Sequence, residues 1–177
     1  TLVLRSDICT ANLQSFIDEV ADVTVLSLPT AFYNKFVAFF SSHDVELPQN
    51  IRLLSVIGEK LHTSAMKKWF SKDVDHIRFY NVYGPTEVTI FATAHQVTRV
   101  DLEADIPIGL PFEHIECFVV DDEGELVQKG EWGELLLGGP AVASGYWNRA
   151  DETAAKFVET KHSPKSLAYA TGDVVRQ

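Results

Sequence analysis

The chain is poor in the residues that mark several common protein classes. Its 177 residues include two cysteines, Cys9 and Cys117, far apart and without Cys-x-x-Cys company. That usage favours a buried free thiol in a reducing cytosol over a disulfide framework. Basic clusters are also missing. The 15 Lys and Arg are scattered, the longest cluster is Lys67-Lys68, and the formal net charge is −10. No stripe of cations is available to neutralise a phosphate backbone, so no nucleic-acid partner is expected. No apolar run reaches membrane-spanning length and no signal-peptide pattern opens the chain, so the reading is cytoplasmic, with no membrane contact. His43, His62, His76, His95, His114 and His162 show neither His-Glu-x-x-His nor Cys/His ligand spacing, and no zinc site is expected.

What is present suits a globular core. Hydrophobic residues make up 46% and aromatics 11%, enough for one domain or two small lobes and too much for a disordered tail. The first residue is Thr1 rather than Met, and Thr1–Leu4 reads as a strand already under way. A piece of a longer polypeptide is therefore expected.

Leu13, Phe16, Ile17 and Val20 recur at helical spacing, which predicts an amphipathic helix over about 12–21. Val23–Leu28 is a short apolar, β-branched run, as in a strand buried on both faces. Phe32, Phe36 and Phe40 stripe a second helix and are read as core. The cycle repeats with a strand ending at Gly58, a helix striped by Leu61, Ala65 and Trp69, and a strand ending at Gly84. Alternation of this kind implies a parallel sheet with flanking helices. After Val97 the texture becomes strand-like runs separated by acidic-Gly turns at Asp122-Glu123-Gly124 and Lys129-Gly130, which is hairpin chemistry. A short helix over about 152–160, with Ala154, Phe157 and Val158 inward, precedes a last strand. The expected fold is thus an α/β region over 1–97 and a mainly antiparallel β region over 98–177, a form that can curl into a small distorted barrel.

Ligands of open parallel sheets bind beyond the carboxyl ends of the strands. Three such ends, Pro29-Thr30-Ala31, Gly58-Glu59-Lys60 and Tyr83-Gly84-Pro85-Thr86-Glu87, carry small or polar residues that can line one crevice. In the third, the Gly-Pro turn lets Tyr83 present a flat ring for stacking on a heterocycle. Thr86 beside Glu87 suits a phosphate and its Mg²⁺, since hard cations take oxygen ligands. Taken alone, Gly84-Pro85-Thr86-Glu87 is more often a plain turn opening a helix or strand. Asp173, after Thr171-Gly172, can accept from a ribose diol or simply belong to a turn. Gly133–Arg149 is read as a strand followed by a Gly-rich turn. It holds no phosphate loop with its Lys, and Ser144-Gly145 lacks the Gly of a nucleophile elbow.

Order and spacing add a resemblance. "NVYGPTEVT", then "GELLLGGPAVASGYWNRADETAAKF", then "YATGDVVR" resemble three consecutive core motifs of the adenylate-forming superfamily, which includes acyl-CoA synthetases, luciferases and the adenylation domains of nonribosomal peptide synthetases. The Pro of "YGPTE", with "VTVLSLPTAFYNKF" and "LLSVIGEKL", resembles the peptide-synthetase branch. The resemblance implies ATP-dependent activation of an amino acid as its adenylate, with pyrophosphate released, and transfer to the phosphopantetheine thiol of a carrier-protein domain. Carried over position by position, Asn81 meets the adenine edge, Tyr83 its face, and the Gly58-Glu59 backbone the other side of the ring. Thr86 meets the phosphate, Glu87 the Mg²⁺, and Asp173 the ribose hydroxyls; Thr86 and Glu87 are the catalytic pair. Ala31, Ser55, Ile57, Val82, Ile90 and Phe91 line the side-chain pocket, a set that implies an uncharged, hydrophobic amino acid.

Ala170 departs from the Arg or Lys usual before Thr-Gly-Asp, and Pro140 and Ser144 depart from the usual Gly-Val-Ala-Arg-Gly wording. The phosphate loop, the acid for the substrate amino group, and the C-terminal lid with its catalytic Lys are absent. The expectation is therefore a fragment that is inactive alone and needs the rest of its adenylation domain. Two alternatives stand: a fragment of an acyl- or aryl-CoA ligase, and a non-catalytic docking or scaffold module of the same fold.

Overall fold

The computed structural model describes residues 2–3, 12–163 and 167–177. Of the strand expected at Thr1–Leu4 only Leu2 and Val3 are described, and they carry no strand assignment; the expectation for Cys9 falls outside the described residues. The chain forms two compact units, Thr1–Val82 with His95–Gly109, and Tyr83–Ala94 with Leu110–Gln177.

In the first unit, Asn12 caps helix α1 (Leu13–Glu19), its side-chain oxygen accepting from the backbone N–H groups of Gln14 and Ser15. Strands β1 (Val25–Pro29), β2 (Leu53–Ile57) and β3 (Arg78–Tyr83) alternate with helices α2 (Thr30–Ser42) and α3 (Thr63–Trp69). β1 pairs with β2 and β2 with β3, both parallel, and the register sets Pro29 beside Ile57 and Ile57 beside Val82. The three strands therefore reach their carboxyl ends at one level. β4 (Thr93–Val97) follows, and Arg99–Glu103 forms a 3-10 segment.

The core here is aromatic. Phe36 and Phe40 stack at 5.6 Å, Tyr33 meets Phe79 edge-on at 5.2 Å, and Trp69 lies 5.5 Å from Phe79. All five are essentially buried, each contributing about 1.5–3 kcal/mol by leaving water. The Tyr33 hydroxyl donates to Met66 Sδ at 3.4 Å. Trp69 Nε1 is, among the described residues, a fully buried side-chain nitrogen with no hydrogen-bond partner.

In the second unit the first two residues of β4 pair antiparallel with β5 (Leu110–Pro111). A separate antiparallel sheet has the order β6-β7-β9-β8, from β6 (Glu116–Val120), β7 (Trp132–Gly138), β8 (Phe157–Glu159) and β9 (Leu167–Arg176). Val120, Leu136, Ala168 and Ala170 form its small core. Gly124 and Gly130 sit at φ +76° and +95°, where a side chain would be strained, and permit the two acidic turns. Both halves of the expected fold are present: an α/β region with a parallel sheet, and a curled antiparallel region.

One boundary needs correction. Helix α4 spans Ala150–Lys156 and stops four residues before the expected end. Phe157 and Val158 turn from helix to strand β8, paired with Tyr169 and Ala168 of β9. An aromatic next to a β-branched residue suits a pleated surface better than a last helical turn.

Candidate functional site

The expected site residues divide between the two units, and each set is built within its own. In the first unit the loops after β1 and β2 are joined. Thr30, buried at the start of α2, donates from Oγ1 to the Glu59 carbonyl at 3.2 Å and accepts from the Glu59 N–H at 3.3 Å. This double bond fixes Gly58-Glu59 as a ledge beyond the strands. Gly58 has φ +118°, and a Cβ added there would meet nothing within 4 Å, so its face is open. Asn81 is buried in β3 and donates from Nδ2 to the Pro107 carbonyl at 2.7 Å. That contact takes one donor of an amide with two donors and two acceptor lone pairs. Ser55 donates weakly to the Leu26 carbonyl at 3.5 Å, Ile57 is half-buried, Val82 is buried, and Ala31 is exposed on the first turn of α2.

In the second unit Gly84 begins a tight reversal. A Cβ on it would stand 2.1 Å from the Ile90 carbonyl oxygen and 2.6 Å from the Ala92 nitrogen, so only glycine lets the loop fold back. Thr86–Val88 makes a single 3-10 turn, leaving Thr86 exposed and Glu87 half-exposed. Thr89 and Ile90 then take φ +57° and +74°, an uncommon conformation for two successive β-branched residues. The reversal projects Ile90 and Phe91 outward, 54% and 42% exposed. These are two of the apolar positions expected to line the substrate pocket.

The acids come together through tyrosines. Tyr83 donates from its hydroxyl to Asp173 Oδ2 at 2.6 Å. Tyr146 donates to Glu87 Oε1 at 2.5 Å and lies 3.4 Å from the Tyr169 hydroxyl. Tyr169 and Asp173 both belong to β9, so the strand that carries the acid of the first pair also carries a contact of the second. Burial, then the hydrogen bond to Asp173, raise the Tyr83 phenol well above its usual range. The Tyr146 phenol is raised chiefly by its bond to Glu87. Glu87 moves the other way: the Tyr146 hydroxyl first, then its own backbone, Tyr169 and the Lys156 charge hold it below the usual carboxylate range, against an opposing effect of burial. At neutral pH this is an ionised acid held by protonated phenols.

Sequence reasoning missed the parts that hold these acids. Tyr146 lies in the stretch read as a plain Gly-rich turn, which instead grips the Thr86–Val88 turn. Ala143 N–H donates to the Glu87 carbonyl at 2.8 Å, and Thr89 Oγ1 donates to the Ala141 carbonyl at 2.9 Å. Gly145, at φ +135°, packs so closely on Thr153 that a Cβ would sit 2.4 Å from its methyl. Lys156, from α4, sets Nζ 3.4 Å from the carbonyl of Ala170, so an ammonium reaches the turn of Asp173 although position 170 itself carries none. The clue available in the sequence was Tyr146 standing directly after Gly145. Cys117 is a free, half-buried thiol pushed up to about 11 by burial. Among the described residues no helix is long and apolar enough to cross a membrane.

Residues 1–147 match the family described as AMP-binding enzyme. Gramicidin S synthase 1 of Brevibacillus brevis is 34% identical over 155 residues, 88% of this chain and 13% of that protein. D-alanine--D-alanyl carrier protein ligase of Streptococcus pyogenes is 38% identical over 119 residues, 66% of this chain and 22% of that protein. Among solved structures, PA1221, described as an NRPS protein containing adenylation and PCP domains, superposes with a TM-score of 0.80 at 30% identity, covering 93% of this chain and 32% of its own. The chain thus spans a minor part of the relatives it matches.

Proposed function

Since the chain belongs to the AMP-binding enzyme family, we propose that it is part of an amino-acid-activating adenylation domain. The observation that carries this reading is that Tyr83 bonds Asp173 of β9 while the Tyr146 that bonds Glu87 contacts Tyr169 of the same strand, which links an aromatic ring and two acids from positions distant in sequence.

The residues fit ATP and Mg²⁺. Glu87 offers an ionised, half-exposed oxygen donor beside the exposed Thr86 hydroxyl. Among the described residues no group of three or more His, Cys, Asp or Glu is placed to hold a metal. A single carboxylate suits Mg²⁺, which keeps several waters and substrate phosphates in its shell. When bound, the cation neutralises developing phosphate charge. In the second unit Thr86 meets the phosphate, Asp173 the ribose hydroxyls and Tyr83 the adenine face; in the first, the Asn81 amide suits an adenine edge. The open Gly58-Glu59 backbone accepts a flat ring. The substrate carboxylate forms a bond to the α-phosphorus as pyrophosphate leaves. The acyl group then passes to the phosphopantetheine thiol of a carrier domain, and AMP leaves. In the second unit the exposed Ile90 and Phe91, and in the first Ala31, Ser55, Ile57 and Val82, carry no charge, which favours an uncharged, hydrophobic amino acid. The two carrier-linked relatives favour a carrier thiol over CoA as acceptor.

On its own, this stretch of 177 residues is expected to give no exchange. Amino-acid-dependent ATP–pyrophosphate exchange by the intact parent protein tests the reading. Exchange with hydrophobic amino acids, lost in Glu87→Gln and weakened in Asp173→Ala, is expected. Parent protein that exchanges only with carboxylates lacking an amino group, or with none, overturns it.

A further inference from the structure

We propose that Tyr146 is a positioning residue that aims the Glu87 carboxylate at its cation. This rests on the reading of Glu87 as the metal-facing acid.

A half-exposed glutamate on a one-turn 3-10 segment has three side-chain torsions to fix. Here they are fixed from outside that segment. The Tyr146 hydroxyl donates to Oε1 at 2.5 Å. A carboxylate has about four acceptor sites, so one donor can hold it without withdrawing it from a cation. The phenol is itself held. Its ring packs edge-on against Phe157 at 5.4 Å, and its hydroxyl meets that of Tyr169 at 3.4 Å. Its backbone N–H donates to Thr153 Oγ1 at 2.9 Å, and the same oxygen donates to the Arg149 carbonyl at 2.8 Å. The main chain of Glu87 is tied to the same loop through Ala143. Side chain and backbone of the acid are therefore referred to one rigid support, which an exposed acid needs if it is to meet a metal in a fixed orientation.

The experiment uses the intact parent protein and Mn²⁺ in place of Mg²⁺. Electron paramagnetic resonance measures Mn²⁺ affinity with a non-hydrolysable ATP analogue present, for wild type, Tyr146→Phe, Glu87→Gln and the double variant. Tyr146→Phe keeps the ring against Phe157 and removes only the donor. The expected result is an affinity about tenfold weaker, an unfolding midpoint lowered by no more than the loss of one exposed hydrogen bond, and a double variant no weaker than Glu87→Gln alone. Wild-type Mn²⁺ affinity in Tyr146→Phe, with Glu87→Gln impaired, overturns the positioning role and leaves the site reading standing. So does a lower unfolding temperature without a change in Mn²⁺ affinity. Wild-type affinity in Glu87→Gln overturns the reading of Glu87 itself.

Discussion

The Tyr83 hydroxyl and Asp173 Oδ2, 90 residues apart in sequence, meet at 2.6 Å. Tyr83→Phe deletes this bond and keeps the ring. An exposed bond to a charged acceptor is worth about 1 kcal/mol. Chemical denaturation of the chain is expected to show a loss of that size, and the same loss is expected for Asp173→Ala. A double-mutant cycle returning no coupling between the two positions contradicts it.

Gly84 is a position where even the smallest side chain does damage. A methyl group at 2.1 Å from the Ile90 carbonyl meets backbone, which cannot rotate away. Gly84→Ala is expected to cost about 3 kcal/mol, the upper end for overpacking, and to lower the unfolding temperature markedly. Gly58→Ala has open space but φ +118° and should cost only about 1 kcal/mol. The order of the two unfolding midpoints is the check.

Asp101 gives the first unit an acid-sensitive joint. Burial alone would raise its carboxyl, but hydrogen bonds from the Thr98 backbone and side chain and from His95 outweigh it and leave the group lowered. A depressed folded value means that stability is fully present above the unfolded value, about 3.9, and is lost as pH falls through the folded one. Asp101→Asn should flatten the stability profile below pH 4 and leave its slope near neutrality unchanged. Urea unfolding across that range tests the sign.

Trp69 is buried with its Nε1 unpartnered. Trp69→Phe removes that unsatisfied donor, recovering about 1–3 kcal/mol of desolvation, while opening a small cavity. The net change is expected to stay under about 1.5 kcal/mol, far less than the 3–5 kcal/mol of Trp69→Ala. Equal losses in the two variants contradict this account.

The α/β alternation was legible because its signals are local. Val23–Leu28 and the Phe32, Phe36, Phe40 stripe each identify an element within a dozen residues. Helix α4 was placed with the wrong end because Phe157 and Val158 fit an apolar helix face as well as a strand. Only the pairing with Tyr169 and Ala168 decides between them. The site was legible to the extent that motifs name residues: Tyr83, Glu87 and Asp173 could be picked out, but not the partners that hold them. Tyr146 reaches Glu87 over 59 residues, and Asn81 reaches Pro107 over 26. No periodicity encodes such meetings. They follow from how each unit brings its own loops together.

The grip of the Gly-rich loop on the Thr86–Val88 turn uses the amide hydrogen of Ala143 and the carbonyl oxygen of Ala141. Every non-proline residue supplies the same two groups. Neighbours such as Pro140 and Ser144 can therefore drift from the customary spelling while the joint keeps its shape. Inserting or deleting a single residue between Gly138 and Gly145 would instead pull the acid of a distant turn out of line.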